Sequence, residues 1–218
     1  MSDSEPLFAK LREQMVEMQL RARGISDERV LDAMRRVPRH EYAPERYRDK
    51  AYDDHPLPID EGQTISQPFI VASMLEAVQL TARDKVLEVG AGSGYVTALL
   101  AELTAQVIAM ERHSPLAASA SALLEKMGYA NARIILGDGS EGSPEAAPYD
   151  VIVVSAAASE VPQPLLTQLA EGGRMIIPVG AADSQQLQLI HKKDGRLYTS
   201  LRELCRFVPL LSGTVIKP

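Results

Sequence analysis

Residues Val86-Leu87-Glu88-Val89-Gly90-Ala91-Gly92-Ser93-Gly94 set a short apolar run directly before a turn with glycine at every second position. Helical spacing resumes at once and continues through Leu103. A strand that runs into glycines and straight on into a helix leaves few folds open. Glycine lets the chain turn sharply, and it lets a ligand approach backbone that carries no Cβ. The spacing also narrows the ligand. A dinucleotide loop places glycines first, third and sixth, whereas here they fall first, third and fifth, with Tyr95 in the sixth place. The Gly-Lys-Ser/Thr that completes a phosphate-binding P-loop does not follow.

From residue 84 onward the chain alternates short apolar runs with helical segments. Strands are expected at 85–89, 106–110, 133–136, 150–154 and 174–178, with helices through Leu103, over roughly 114–127 and near 162–170. Further strands are expected at 186–191 and around 204–216. This alternation predicts an α/β fold: a Rossmann-like, doubly wound, mainly parallel sheet with helices on both faces. Such sheets bind ligands beyond the carboxyl ends of their strands, where strand order reverses.

The first third reads differently. Leu7, Leu11, Met15 and Met18 recur at helical spacing until Gly24, with methionine as core filler. A second helix is expected from Ser26, with Asp27 and Glu28 in its first turn. Val30, Leu31 and Met34 form its buried face, and it stops before Pro38. Residues 51–67, punctuated by Pro56, Pro58 and Gly62, read as a long ordered loop with a functional role. Pro68 then starts a strong helix. The whole of 1–218 is expected to form one domain, 1–80 contributing helices and a loop to the sheet of 81–218.

Composition removes several classes of function. The formal charge is −6, which disfavours a nucleic-acid binder. The run Val151–Ala158 is too short to span a membrane, and the start lacks a secretory signal. The single cysteine, Cys205, cannot form an internal disulfide and is read as part of a buried strand. His40, His55, His113 and His191 show no metal-ligand spacing, and His113 is read as a helix-opening or solvent-facing residue. A cytoplasmic protein without metal, membrane or nucleic-acid partner is the expectation.

Three carboxylates fall at the ends of successive strands: Glu88 just before the glycine turn, Glu111 after the second strand, and Asp138 after the third. Glu111 is placed to accept from a ribose diol, and Asp138 to accept from an adenine amino group. Glu88 could order the turn or face a cationic ligand. A ligand with sulfonium and ammonium groups and no phosphate, S-adenosylmethionine, suits the set.

The glycine turn resembles the cofactor loop of class I methyltransferases. Arg36-Val37-Pro38-Arg39-His40-Glu41-Tyr42, Gly62-Gln63-Thr64-Ile65-Ser66-Gln67-Pro68, Gly137-Asp138-Gly139, Ser155-Ala156-Ala157-Ala158 and Gly172-Gly173-Arg174-Met175-Ile176-Ile177-Pro178-Val179-Gly180 are similar to segments of the protein-L-isoaspartate O-methyltransferase family. The resemblance runs from about residue 10 to 212, and the Gly62–Pro68 string is its most specific part. It implies methyl esterification of isoaspartyl (and D-aspartyl) carboxylates in damaged proteins, repaired through a succinimide. It implies Ser66 as the active-site residue, with Thr64, Ile65, Gln67, Ala156, Ala157 and Ala158 around the acceptor. It implies a cofactor site of Glu88, Gly90, Ala91, Gly92, Ser93, Gly94, Glu111, Asp138, Gly139 and Gln185. Phe69 stands where animal relatives have His, and Ser155 where Thr is frequent. The competing readings are an RNA or small-molecule methyltransferase on the same fold, and a silent S-adenosylmethionine-binding module.

Overall fold

The computed structural model describes residues 5–181 and 183–213. Alternate residues of the apolar runs face opposite ways, because strand side chains alternate. Val86, Val107, Val151 and Val153 enter one core cluster, and Leu87, Ile108, Ile152 and Val154 enter the other. The runs thus build one two-faced sheet. It is formed by β3 (Lys85–Val89), β4 (Gln106–Glu111), β5 (Ala132–Leu136), β6 (Tyr149–Val154), β7 (Leu169–Ala181), β8 (Ser184–Lys193) and β9 (Arg196–Cys205). A separate two-stranded hairpin contains β1 (Leu57–Pro58) and β2 (Thr64–Ile65).

The strand order is β5-β4-β3-β6-β7-β8-β9. The first five of these are parallel, and β8 and β9 return as an antiparallel meander. From β3 the chain steps outward through β4 to β5, then restarts on the other side of β3 with β6. The order therefore reverses between β3 and β6, whose carboxyl ends align with Val89 opposite Val154.

The α-helices among the described residues are α1 (Glu5–Gln14), α2 (Glu28–Arg36), α3 (Pro68–Ala77), α4 (Tyr95–Leu103), α5 (Ser114–Lys126) and α6 (Gln163–Gln168), joined by short 3-10 and π-helical turns. Met15, Leu31 and Met34 share a core cluster with Val107 and Ile176, so the N-terminal helices pack on the sheet itself. Leu165 of α6 packs on the other face.

Several expectations are corrected here. The first helix passes into π-helical turns at Met15–Leu20. Wider turns rotate the face, so Met15, Val16 and Leu20 are buried while Met18, expected as core filler, is 71% exposed. Helix α2 begins after Asp27, whose carboxylate accepts from the Arg29 N–H at 2.9 Å, and not from Ser26. Within 51–67 the loop carries the β1–β2 hairpin, two residues per strand and too short to show alternation. The C-terminal strand runs over 196–205 and is an exposed edge, with Leu204 at 74% exposure. Residues 206–213 form no strand, and the rest of the expected 204–216 strand lies outside the described residues.

Candidate functional site

At the point of strand reversal the backbone of the glycine turn folds back under β4. The N–H groups of Gly90 and Ala91 both donate to the Met110 carbonyl, at 2.9 and 3.0 Å. Gly92 sits at φ +54, a left-handed conformation that a side chain adopts only under strain, and its N–H donates to Glu111 Oε2 at 2.9 Å. Glu111 Oε1 accepts from the His113 N–H at 2.8 Å. The carboxylate is thus held at both oxygens by backbone and is almost wholly buried.

Gly90, Gly92, Met110, Glu111 and His113 line a cleft of ≈ 530 Å³ together with Gln63, Thr64, Gly139, Ser155, Ala156 and the segment 208–211. Close packing sets part of its shape. A Cβ on Gly139 would lie 2.5 Å from Val89 Cγ1, so any side chain there crowds Val89 between the ends of β3 and β5.

A smaller cavity of ≈ 300 Å³ adjoins it, lined by Thr64, Ile65, Ser66, Glu88, Gly90, Ala91, Gly92, Ser93, Tyr95, Val96 and Ser155. Thr64, Gly90, Gly92 and Ser155 belong to both. Glu88 is fully buried in this second wall. Its Oε2 accepts from Thr97 Oγ1 at 2.5 Å, and its Oε1 has no hydrogen-bond partner among the described residues. Burial pushes this carboxyl up to about 8, with Glu111 adding to the rise and the Thr97 bond opposing it. A buried acceptor atom without a donor fits a ligand that brings a cation or an N–H.

The loop that carries Ser66 is fastened from several sides. The Arg39 guanidinium donates to the Ser66 carbonyl at 2.8 Å. Gln67 donates to the Asp54 side chain at 2.9 Å and to its carbonyl at 3.1 Å. At the hairpin tip, Glu61 approaches His113 Nδ1 at 3.6 Å.

The structure therefore brings Ser66, Thr64, Ile65, Glu88, Gly90, Ala91, Gly92, Ser93, Glu111, Gly139 and Ala156 to two adjoining cavities. Other residues read from the sequence stand behind the walls. Gly94 packs against Ala120 of α5. Asp138 accepts from Ser140 and from the Gly213 N–H, and these bonds hold its carboxyl below the usual range although burial acts the other way. Gln67 is engaged by Asp54. Ala157 and Ala158 donate through backbone N–H to Val208 and Pro178. Gln185 does not reach the cleft: its amide brackets the Phe207 backbone, accepting at 2.6 Å and donating at 3.2 Å. It thereby anchors the strand-free segment that lines the cleft at 208–211.

Sequence reasoning missed that segment, which has no periodicity to mark it. It also read His113 as helix-opening or solvent-facing. The residue does precede α5, but it is 7% exposed and lines the cleft. Its position two residues after the strand-end carboxylate Glu111 was the available signal. Among the described residues no group of three or more His, Cys, Asp or Glu could hold a metal ion.

A family model described as protein-L-isoaspartate(D-aspartate) O-methyltransferase matches residues 10–215. A protein-L-isoaspartate O-methyltransferase of Koribacter versatilis is 55% identical, covering 97% of this chain and 95% of its own. One from Methanoculleus marisnigri is 52% identical, covering 92% and 91%. A solved protein-L-isoaspartate O-methyltransferase superposes with a TM-score of 0.84 at 32% identity, over 94% of this chain and 67% of that one. A putative one from Plasmodium falciparum, in complex with S-adenosyl-L-homocysteine, gives a TM-score of 0.79 at 30% identity over 94% and 98%.

Proposed function

The chain belongs to the protein-L-isoaspartate(D-aspartate) O-methyltransferase family, and from that premise we propose how its two cavities divide the work. The reaction is S-adenosylmethionine-dependent methyl esterification of isoaspartyl carboxylates in damaged proteins. The larger cleft is read as the adenosine side and the smaller cavity as the place where methyl donor and acceptor meet. One observation carries this reading: Thr64, Gly90, Gly92 and Ser155 line both spaces, so the Ser66 loop and the glycine turn share a wall.

Glu111, already oriented by Gly92 and His113, is the group to accept from the ribose hydroxyls. The unpartnered Glu88 Oε1 suits the cationic end of the donor. Asp138 and Gln185 act through what they hold, namely the Gly139 turn and the 207–211 segment. Ser66, with Thr64 and Ile65, is read as the acceptor wall.

An acceptor carboxylate has a pKa of about 4 and is already ionised at neutral pH. No side chain has to remove a proton. What the protein supplies is alignment and exclusion of water. Aligned placement alone contributes roughly 7–11 kcal/mol in well-oriented reactions. Charge is neutralised as the methyl transfers, so a grip on the carboxylate stronger than Ser66 and backbone N–H groups would slow the step.

The common core supports reading 1–218 as one domain, with 1–80 carrying the acceptor loop. Among the described residues no helix is long and apolar enough to cross a membrane, and a cytoplasmic setting without metal or nucleic acid fits this activity. The test is transfer of labelled methyl to paired peptides that differ only in isoaspartyl or aspartyl linkage. Label on the isoaspartyl peptide alone is expected. Equal labelling, or label on RNA instead, overturns the proposal.

A further inference from the structure

Arg39 is fully buried, although arginine is almost never so without a paired acid. It lies in the short turn Arg39–Tyr42, outside the walls of both cavities. Its Nε donates to the Ala51 carbonyl and its Nη2 to the Ser66 carbonyl, both at 2.8 Å. Its guanidinium carbon stands 4.8 Å from the centre of the Tyr95 ring. Burial pushes its pKa down, with the Tyr95 and Tyr52 hydroxyls opposing the shift, and among the described residues no carboxylate forms an ion pair with it. Its Nη1 has no hydrogen-bond partner among the described residues.

Two backbone carbonyls can be satisfied by a neutral donor. Burying a full cation for that task is costly unless the charge itself is used. Ser66 and Tyr95 both line the smaller cavity, so the guanidinium stands one residue behind its wall. In that water-poor surrounding its field reaches the cavity weakly screened. Guanidinium also keeps its proton in proteins, so the charge is permanent.

We propose that Arg39 is a positioning and specificity-determining residue for the acceptor. It fixes the Ser66 backbone against the cofactor turn, and its uncompensated charge favours an anionic carboxylate over a neutral amide. The charge acts without direct contact, which attracts the carboxylate yet leaves it free to react. This rests on the reading of the smaller cavity as the acceptor site.

The test uses Arg39→Gln and Arg39→Lys in the full chain, with wild-type turnover of an isoaspartyl peptide as the control for that reading. Gln retains donors without charge, so KM for the peptide should rise about tenfold or more. Lys retains charge but cannot bridge two carbonyls with a planar fork. Its KM should stay within about threefold of wild type while kcat falls about tenfold. Both variants should bind S-adenosylhomocysteine within about twofold of wild type. A wild-type KM in Arg39→Gln overturns the proposal, as does parallel loss of homocysteine-ligand affinity in both variants, which marks a residue of the fold. Should the Gln protein fail to unfold cooperatively, Arg39→Lys decides alone: unchanged kcat and KM sink the proposal, and a selective fall in kcat supports it. Active wild type with unaffected variants removes the inference and leaves the acceptor site standing; inactive wild type removes the site.

Discussion

Thr97 Oγ1 donates to Glu88 Oε2 across 2.5 Å, and nothing among the described residues donates to the other carboxyl oxygen. The strand end that precedes the glycine turn thus carries a carboxyl group half satisfied by the helix that follows the turn and half left for something else. Thr97 belongs to α4, so the bond also ties the turn's two flanking elements together.

The first prediction rests on burial of that group. A glutamate in the unfolded chain ionises near pH 4.3, whereas folding pushes Glu88 up to about 8. Between those values the folded protein holds a proton that the unfolded chain has lost. Stability of the ligand-free protein therefore falls as pH rises over that window. A cationic ligand end prefers the ionised form, so affinity for S-adenosylhomocysteine should climb from pH 6 to 8. Glu88→Gln should flatten both trends and weaken binding. Thermal melts and calorimetry across that range check it, and a wild-type affinity that stays flat removes Glu88 from the ligand's cationic end.

Glu111 poses a separable question, because both of its oxygens already accept from backbone. Glu111→Ala removes the proposed ribose acceptor and also frees the N–H groups of Gly92 and His113. Losing one charge-assisted hydrogen bond costs about 1.5–3 kcal/mol. Homocysteine-ligand affinity should fall by roughly that amount, with KM for the peptide nearly unchanged. If calorimetry shows wild-type affinity, Glu111 shapes the turn and does not hold the ribose.

Two glycines of the cleft should fail for different reasons. At Gly92 a Cβ meets only Ile59 Cδ1, at 3.6 Å, so the obstacle is the backbone at φ +54. Gly92→Ala should cost about 1–2 kcal/mol of left-handed strain, and Gly92→Val more. At Gly139 the backbone is ordinary but Val89 is in the way. Gly139→Ala should cost about 1–3 kcal/mol by overpacking, and Val89→Ala should relieve it. Thermal denaturation of the double variant decides: additive losses contradict the packing account.

Much of the fold and the glycine turn was legible because the relevant signals are local. The Lys85–Val89 strand, the glycine turn and the Tyr95–Leu103 helix are contiguous in sequence, and each obeys its own period. What escaped is set by tertiary contact. The π-helical turns at Met15–Leu20 rotate the buried face by an amount no heptad count foresees. Cys205, read as part of a buried strand, is half-buried against the core. Its neighbour Leu204 is exposed, because the strand is the sheet's outer one and nothing covers its far side among the described residues. Segment 208–211 lines the cleft because distant residues hold it there: Gln185 in the neighbouring strand β8 brackets Phe207, and the Ala157 backbone bonds Val208 and Leu210. Arg39 sits in a string of mixed charge, and only the fold reveals that it has left water altogether.

The last prediction concerns Ser66. Its carbonyl is taken by Arg39, which leaves its hydroxyl as the side-chain group it can offer to an acceptor in the smaller cavity. If that hydroxyl only orients a carboxylate that is already ionised, Ser66→Ala should leave S-adenosylmethionine affinity nearly unchanged. Methyl transfer should fall by about tenfold, the worth of one ordinary hydrogen bond. Activity should not vanish, because no covalent serine intermediate and no serine-borne proton transfer is required. The residual rate should show no new pH dependence near neutrality. Single-turnover transfer to the isoaspartyl peptide, measured beside donor affinity, separates the outcomes. A wild-type rate would reduce Ser66 to a backbone anchor for Arg39. A methylated Ser66 trapped on the pathway would instead make it the nucleophile, and the positioning account would have to be abandoned.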